Sequence, residues 1–206
     1  MGADERAFAG LDLSFCKPVF VHWIKPLPKE SLQQYALRLS EQITEKDPIL
    51  VGLSFGGIMA VEISKLIPVR KLVLVSSAKT AREIPFYYKW LRYLPLHKML
   101  TTGMLRSGNQ LAYRLMGVAG RSDKKAFTRM LEVTDASLLK WSIGQIARWK
   151  NTSYPPHTFH IHGTADRMLP CWWVNPDETI RGGEHLMLLS KAKEVSAVLK
   201  RVLPER

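Results

Sequence analysis

A serine flanked by glycines lies between an apolar run and a helix-like segment, and this feature constrains the fold more than any other. The motif is Gly52-Leu53-Ser54-Phe55-Gly56, and the strand-like residues 48–51 precede it. The residues that follow it, 58–63, are mostly apolar with helical periodicity. Glycines permit a turn that is too tight for a Cβ. The sequence therefore predicts a strand, a sharp turn and a helix, with the hydroxyl of Ser54 standing clear of the backbone.

A serine in this setting is typical of a nucleophile elbow, the turn that presents an attacking hydroxyl. The helix N-terminus that follows such a turn offers free N–H groups to an oxyanion. The Gly-x-Ser-x-Gly pattern alone arises by chance in about one chain in twenty of this length, so further residues must support it.

A serine nucleophile needs a base, and the base needs an orienting carboxylate. Asp166 follows the strand-like residues 157–162, and His185 lies between strand-like 178–181 and a helix-like stretch. The chain order serine, acid, histidine is the one that this turn type uses. Each residue alone also fits a plain role: Ser54 as a small turn residue, Asp166 as a loop cap and His185 as a surface residue.

These motifs resemble those of the α/β-hydrolases, and the resemblance runs from the first residues to the last helix. It rests on the elbow at Ser54, the His-Gly-x-x-Asp loop at 162–166 and the Gly-Gly-x-His loop at 182–185. It implies one domain over 1–206, with a mostly parallel α/β sheet of about five strands flanked by helices.

The resemblance also implies roles for individual residues. Ser54 would be the nucleophile, His185 the general base and acid, and Asp166 the group that orients His185. The N–H of Phe55 would be one oxyanion donor, with a second near Met1 or Gly2. The expected activity is that of a serine hydrolase that cleaves a carboxylic ester or thioester, and no cofactor is implied. The alternative is a non-catalytic relative that binds a small molecule or a protein.

The beginning of the chain departs from the family. Residues 1–8 resemble the end of the oxyanion loop, but the apolar strand that should precede it is absent, and 17–23 resembles the next strand. The missing strand would lie between 17–23 and the elbow strand. We therefore expect Met1 to be an internal methionine of a longer natural chain. The other interpretation is that this branch of the family lost the strand and changed its role.

The remaining periodicity predicts the other elements. A capping-box pattern from Ser31 to Gln34 opens a helix that runs to about residue 44. Further helices are expected over 55–66 and 190–202, and strands over 17–23, 48–53, 71–77, 157–162 and 178–181.

The segment 79–151 is predicted to be a helical cap inserted over the site. Between Lys79 and Lys150 it holds fourteen Lys and Arg against four acidic residues, which is +10 of the net charge of +12. Solvated outer helix faces explain such charges most simply. Docking of an anionic acyl carrier, such as a coenzyme A or carrier-protein thioester, is a second interpretation. Nucleic-acid or membrane-surface binding is a third, which no recognition motif supports.

The sequence contains no apolar run of membrane-spanning length and no signal-peptide core, and it predicts a cytoplasmic protein of undetermined oligomeric state. Cys16 and Cys171 make no disulfide framework. Three other groups are weaker candidates. The triplet His157, His160 and His162 lacks the clustered acids or cysteines of a metal site, and Glu184 and Asp135 are less well placed than Asp166 to be the acid.

Overall fold

A parallel four-stranded sheet forms the centre of the computed structural model, which describes residues 5–90, 93, 103 and 108–203. The strands are β1 (Ile49–Leu53), β2 (Lys71–Val75), β3 (Thr158–Gly163) and β4 (Glu178–Ile180), and they lie in that spatial order. All three pairings are parallel. The predicted α/β fold class is confirmed, with four strands in the described residues where about five were expected.

Helices connect the strands. They are α1 (Leu32–Ser40), α2 (Phe55–Ile63), α3 (Phe86–Trp90), α4 (Gln110–Met116), α5 (Arg121–Val133), α6 (Ala136–Arg148), α7 (Met187–Ser190) and α8 (Ala192–Val202), with 3₁₀ turns at Glu5–Phe8, Ala81–Glu83 and Cys171–Trp173. The predicted capping box is confirmed: Ser31 Oγ accepts the N–H of Gln34, and the Gln34 side chain accepts that of Ser31.

The sheet is covered on both faces, which explains why its strands are apolar throughout. Successive residues of β2 point to opposite sides. Val73 and Val75 belong to a core that includes residues of α5 and α8, whereas Leu72 and Leu74 belong to one built with α1 and α2. All four side chains are fully buried. Because the strands are parallel, the loops after their carboxyl ends meet at one edge of the sheet.

The predicted strand over 17–23 is wrong, since this segment makes no ladder with the sheet. Side chains bind its backbone groups instead. Gln42 Oε1 accepts the N–H of His22 at 2.9 Å, and Gln42 Nε2 donates to the carbonyl of the same residue at 2.9 Å. The Tyr35 hydroxyl likewise donates to the carbonyl of Ile24 at 2.7 Å and accepts its N–H at 3.2 Å.

Helices α3 to α6 all lie in the connection between β2 and β3, which is the segment predicted to be a cap. Residues 91–92, 94–102 and 104–107 of that segment lie outside the described residues, and so do Met1 and Gly2. None of the helices in the described part of the chain is long and apolar enough to cross a bilayer. Neither Cys16 nor Cys171 takes part in a disulfide bond within the described part of the chain.

Candidate active site

The turn at Ser54 has the strained geometry that its glycines predict. Ser54 has φ 54° and ψ −121°, a conformation that is uncommon for a residue with a side chain. Its N–H donates to the carbonyl of Val75 at 2.9 Å, and its carbonyl accepts the N–H of Gly57 at 2.9 Å. A Cβ on Gly52 would lie 2.4 Å from the carbonyl oxygen of Gly56, so the chain can double back here only with glycine at position 52.

Three of the residues predicted for the site come together above this turn. Ser54 Oγ lies 2.8 Å from His185 Nε2, and His185 Nδ1 lies 2.8 Å from Asp166 Oδ2. His185 and Asp166 are 5% and 4% exposed, so little water competes for these hydrogen bonds. This geometry allows the imidazole to take a proton from the hydroxyl while the carboxylate holds its other nitrogen.

The loops after β3 and β4 hold the acid and the imidazole in place. Asp166 Oδ1 accepts the N–H groups of Met168 and Leu169, both at 2.8 Å, which fixes the carboxylate from behind. The backbones of the two loops approach closely at Gly163, where a Cβ would lie 2.2 Å from the carbonyl oxygen of Gly183. A glycine at the end of β3 therefore lets the loop that carries His185 close over the site.

The two weaker acid candidates have other partners. Glu184 pairs with the half-exposed Arg167 at 2.5 Å. Asp135 is the N-cap of α6, where its carboxylate accepts the N–H of Ser137 at 2.6 Å. Hydrogen bonding to the Ser137 side chain, with a smaller contribution from the backbone N–H, lowers the pKa of Asp135. Among the described residues, the carboxylate that faces His185 Nδ1 is that of Asp166.

Phe55 is the first residue of α2, so its N–H has no acceptor within the helix. Its ring is buried and stacks on Trp23 with the ring centroids 5.6 Å apart. These contacts fix the residue that directly follows Ser54. The candidates for the second oxyanion donor, Met1 and Gly2, lie outside the described residues.

An apolar pocket adjoins the serine hydroxyl. Side chains from the connection between β2 and β3 line much of it, namely Tyr88, Met116, Phe127, Met130, Leu131 and Ile146. Its described lining holds no Asp, Glu, Lys or Arg. Burial raises the pKa of the Tyr88 phenol, so this hydroxyl stays neutral over the ordinary pH range. The pocket suits an uncharged, apolar group.

Two residues near the site were missed as contributors from sequence. Ser77 Oγ donates to the carbonyl oxygen of Ser54 at 2.7 Å and supports the strained turn. His162, seen in the sequence as part of the His-Gly pattern and as a weak metal candidate, has its Nε2 3.4 Å from Asp166 Oδ2. The contact of Ser77 with Ser54 could not be predicted, because a serine after a strand gives no sequence signal for such a hydrogen bond. In the described ranges no group of three potential metal ligands is found.

Solved structures with the same fold include an esterase from Thermogutta terrifontis, at a TM-score of 0.62 and 16% identity over 87% of this chain and 74% of that one. A lipase-esterase related protein from Clostridium acetobutylicum has a TM-score of 0.63 and 19% sequence identity, over 88% of this chain and 79% of that one. A bromoperoxidase from Bacillus anthracis has a TM-score of 0.56 and 17% sequence identity, over 86% of this chain and 76% of that one. At these identities the likeness concerns the fold.

No curated protein matches the chain at a significant level. A family model does match, over residues 22–198, which is most of the chain, and its description is that of the alpha/beta hydrolase family. The match includes the turn at Ser54 and the loops of Asp166 and His185, and it supports a hydrolase as the broad reaction class. The chain belongs to the alpha/beta hydrolase family.

Proposed function

We propose that this protein is a serine hydrolase that cleaves a carboxylic ester or thioester through an acyl-enzyme on Ser54. The observation that carries the proposal is the continuous pair of 2.8 Å contacts from Ser54 Oγ through His185 to Asp166. A serine with a purely structural role does not need a buried imidazole and carboxylate in line with its hydroxyl. This arrangement is the one that activates a serine by removing the proton of its hydroxyl.

The first half-reaction acylates the serine. His185 Nε2 takes the proton of Ser54 Oγ as the oxygen bonds to the carbonyl carbon of the substrate, and the carbonyl electron pair moves onto its oxygen. The Phe55 N–H stabilises that oxyanion, together with a donor near Met1 or Gly2. The tetrahedral intermediate then expels the alcohol or thiol, which receives the proton from His185.

The second half-reaction regenerates the enzyme. His185 removes a proton from water, the resulting hydroxide adds to the acyl carbon, and collapse of the adduct releases the acid. The proton on His185 returns to Ser54 Oγ. Asp166 stays ionised throughout and stabilises the imidazolium that forms in each half.

The acyl group of the substrate is apolar and uncharged in this proposal. Apart from the imidazole of His185, the described lining of the pocket beside Ser54 consists of apolar side chains and hydroxyl groups, so a buried carboxylate or ammonium there would lack an Asp, Glu, Lys or Arg partner. Helices from 79–151 supply much of this lining. We propose that this segment acts as the cap that sets acyl specificity.

An anionic acyl carrier is a refinement of the same proposal. Lys124, Lys125 and Arg129 line a hollow on α5 together with Tyr113, Thr128 and one acidic residue, Glu132, and this net positive lining would attract a phosphate-bearing thiol group. The broader excess of Lys and Arg in the cap segment has the same sign. Comparing a coenzyme A thioester with an uncharged thioester of the same acid, at low and high salt, tests this refinement.

A panel of p-nitrophenyl acetate, butyrate and octanoate tests the main proposal. We expect wild type to hydrolyse at least one ester and Ser54→Ala to lose the activity. Ser64→Ala is the matched control, because Ser64 lies at the other end of α2, where its hydroxyl bonds the Val61 carbonyl. Turnover that persists in Ser54→Ala, or a folded wild type with no turnover of any ester or thioester, contradicts the proposal. The latter result favours the non-catalytic binding protein.

A further inference from the structure

Two buried imidazoles lie side by side behind the carboxylate of Asp166. His160 and His162 are two residues apart on β3, so their side chains share a face of the strand. Both residues are fully buried. Their ring centroids lie 5.1 Å apart in an edge-to-face arrangement, and the proposed chemistry assigns a role to neither ring.

The hydrogen bonds of this pair fix the position of each proton. His162 Nε2 lies 2.8 Å from the carbonyl oxygen of Leu169, which can only accept, so Nε2 carries the hydrogen. His162 Nδ1 is then an acceptor, and the His160 Nε2 that lies 3.1 Å from it must be the donor. His160 Nδ1 is left without a proton and without a partner among the described residues.

This assignment requires both rings to be neutral. Burial lowers the pKa of His160 well below the usual value, and the neighbouring His162 and Lys79 lower it further. Burial also lowers the pKa of His162, against the opposing effect of Asp166. The other charged group near His160 is Asp177, which accepts the backbone N–H of His160 and pairs with Lys79.

The pair reaches the site through Asp166 by two routes. His162 Nε2 lies 3.4 Å from Asp166 Oδ2, the same oxygen that faces His185 Nδ1 at 2.8 Å. The N–H of His162 Nε2 donates to the carbonyl of Leu169, whose own N–H donates to Asp166 Oδ1. His162 therefore holds the turn that fixes the carboxylate, and its ring lies against the carboxylate without a hydrogen bond to it.

Stability alone does not account for this pair. A buried polar group with an unsatisfied nitrogen costs free energy, and an apolar pair of similar volume would avoid that cost. We propose that His162, held by His160, is a positioning residue that keeps the carboxylate of Asp166 aimed at His185. The inference rests on the proposed function, since it concerns the orientation of the same imidazole.

Two amide substitutions at position 162 distinguish the loss of the hydrogen bond to Leu169 from the loss of the imidazole ring itself. In His162→Gln the side-chain NH₂ takes the place of Nε2 and still donates to Leu169, whereas in His162→Asn the shorter side chain does not reach. We expect His162→Asn to lower kcat about 10- to 100-fold, the range found when the hydrogen-bond partner that orients a metal-ligating side chain is lost. KM should change little, and His162→Gln should recover most of the rate.

A second readout does not depend on turnover. The proton on His185 Nδ1 gives a far-downfield NMR signal when it is held by a carboxylate, and ¹⁵N labelling identifies it. We expect wild type and His162→Gln to show this signal, and folded His162→Asn to show it shifted upfield or broadened. If His162→Asn does not fold, the variants at position 160 replace it. His160→Gln keeps the donor to His162 and should retain the His185 signal, whereas His160→Asn loses the donor and should shift or broaden the signal, though less than expected for His162→Asn.

The two proposals fail in different ways. If wild type cleaves esters, but the Asn and Gln variants at 162 match in kcat and in the His185 signal, the positioning role is wrong and the hydrolase stands. If wild type cleaves nothing, the NMR comparison still decides whether His162 orients the carboxylate. An unchanged signal in folded His162→Asn overturns the inference in either case.

Discussion

The outcome of Asp166→Asn follows from the hydrogen bonds of the carboxylate. Asp166 Oδ1 accepts two backbone N–H groups, from Met168 and Leu169, at 2.8 Å each. An Asn side chain must keep its carbonyl oxygen there, because its NH₂ group would face two donors. The NH₂ group then occupies the place of Oδ2, 2.8 Å from His185 Nδ1.

That placement reverses the tautomer of the imidazole. Nδ1 must accept from the amide, so the proton of His185 moves to Nε2, which faces Ser54 Oγ at 2.8 Å. A protonated Nε2 cannot take the proton of the serine, and the neutral amide does not stabilise an imidazolium. We expect kcat/KM to fall about 10⁴-fold, which is about 5.5 kcal/mol of transition-state stabilisation.

Initial rates with p-nitrophenyl butyrate measure this effect, with circular dichroism and thermal melting to show that the variant is folded. Glu184→Gln is the matched control, since Glu184 is also a carboxylate near His185 but pairs with Arg167. The control should keep its rate within about threefold, as expected where a single exposed ion pair is lost. A folded Asp166→Asn variant within about tenfold of wild type would refute the tautomer argument.

Three further predictions concern stability. Gly52→Ala should lower the free energy of unfolding by about 3 kcal/mol, because its Cβ would lie 2.4 Å from a backbone oxygen. Gly56→Ala is the control and should cause no loss, because its Cβ would contact only a Trp23 side-chain atom at 3.9 Å. Equal melting temperatures for the two variants would contradict this prediction. The lowered pKa of buried His160 means that the unfolded chain binds a proton that the folded chain does not, so stability falls as pH drops below about 6.5. Between about pH 7.5 and 5.5, His160→Gln should lose less stability than wild type in urea unfolding, by on the order of 1 kcal/mol, and equal losses would argue against a neutral buried ring. Asp135→Ala removes the N-cap of α6 and should cost about 1 kcal/mol in urea unfolding with no change in kcat; a large loss of kcat would instead make Asp135 a catalytic acid.

The parts of the fold that sequence predicted are those with a local cause. Short strand-like runs located β1, β2, β3 and β4, with glycines at or just after the ends of β1, β3 and β4, and the capping pattern located the start of α1. The loops that carry Asp166 and His185 were predicted for the same reason, because each follows a strand. Their approach to Ser54 is then a consequence of parallel strands ending at one edge.

The features that sequence missed depend on a partner distant in the chain. Residues 17–23 have the composition of a strand, but composition does not tell whether a backbone ladder or the side chain of Gln42 will bind His22. The hydrogen bond between His160 and His162 could not be predicted either. Their spacing places both side chains on one face of the strand, but it determines neither their rotamers nor their tautomers. Their link to Asp166 depends on the fold of the following turn.

Labelling by a fluorophosphonate probe shows directly whether Ser54 is an activated nucleophile. The native chain, Ser54→Ala and heat-denatured wild type are treated side by side, and the modified residue is located by peptide mass spectrometry. We expect one adduct, on Ser54, that requires the native fold. A folded chain that stays unlabelled, or equal labelling of Ser54→Ala, would contradict it.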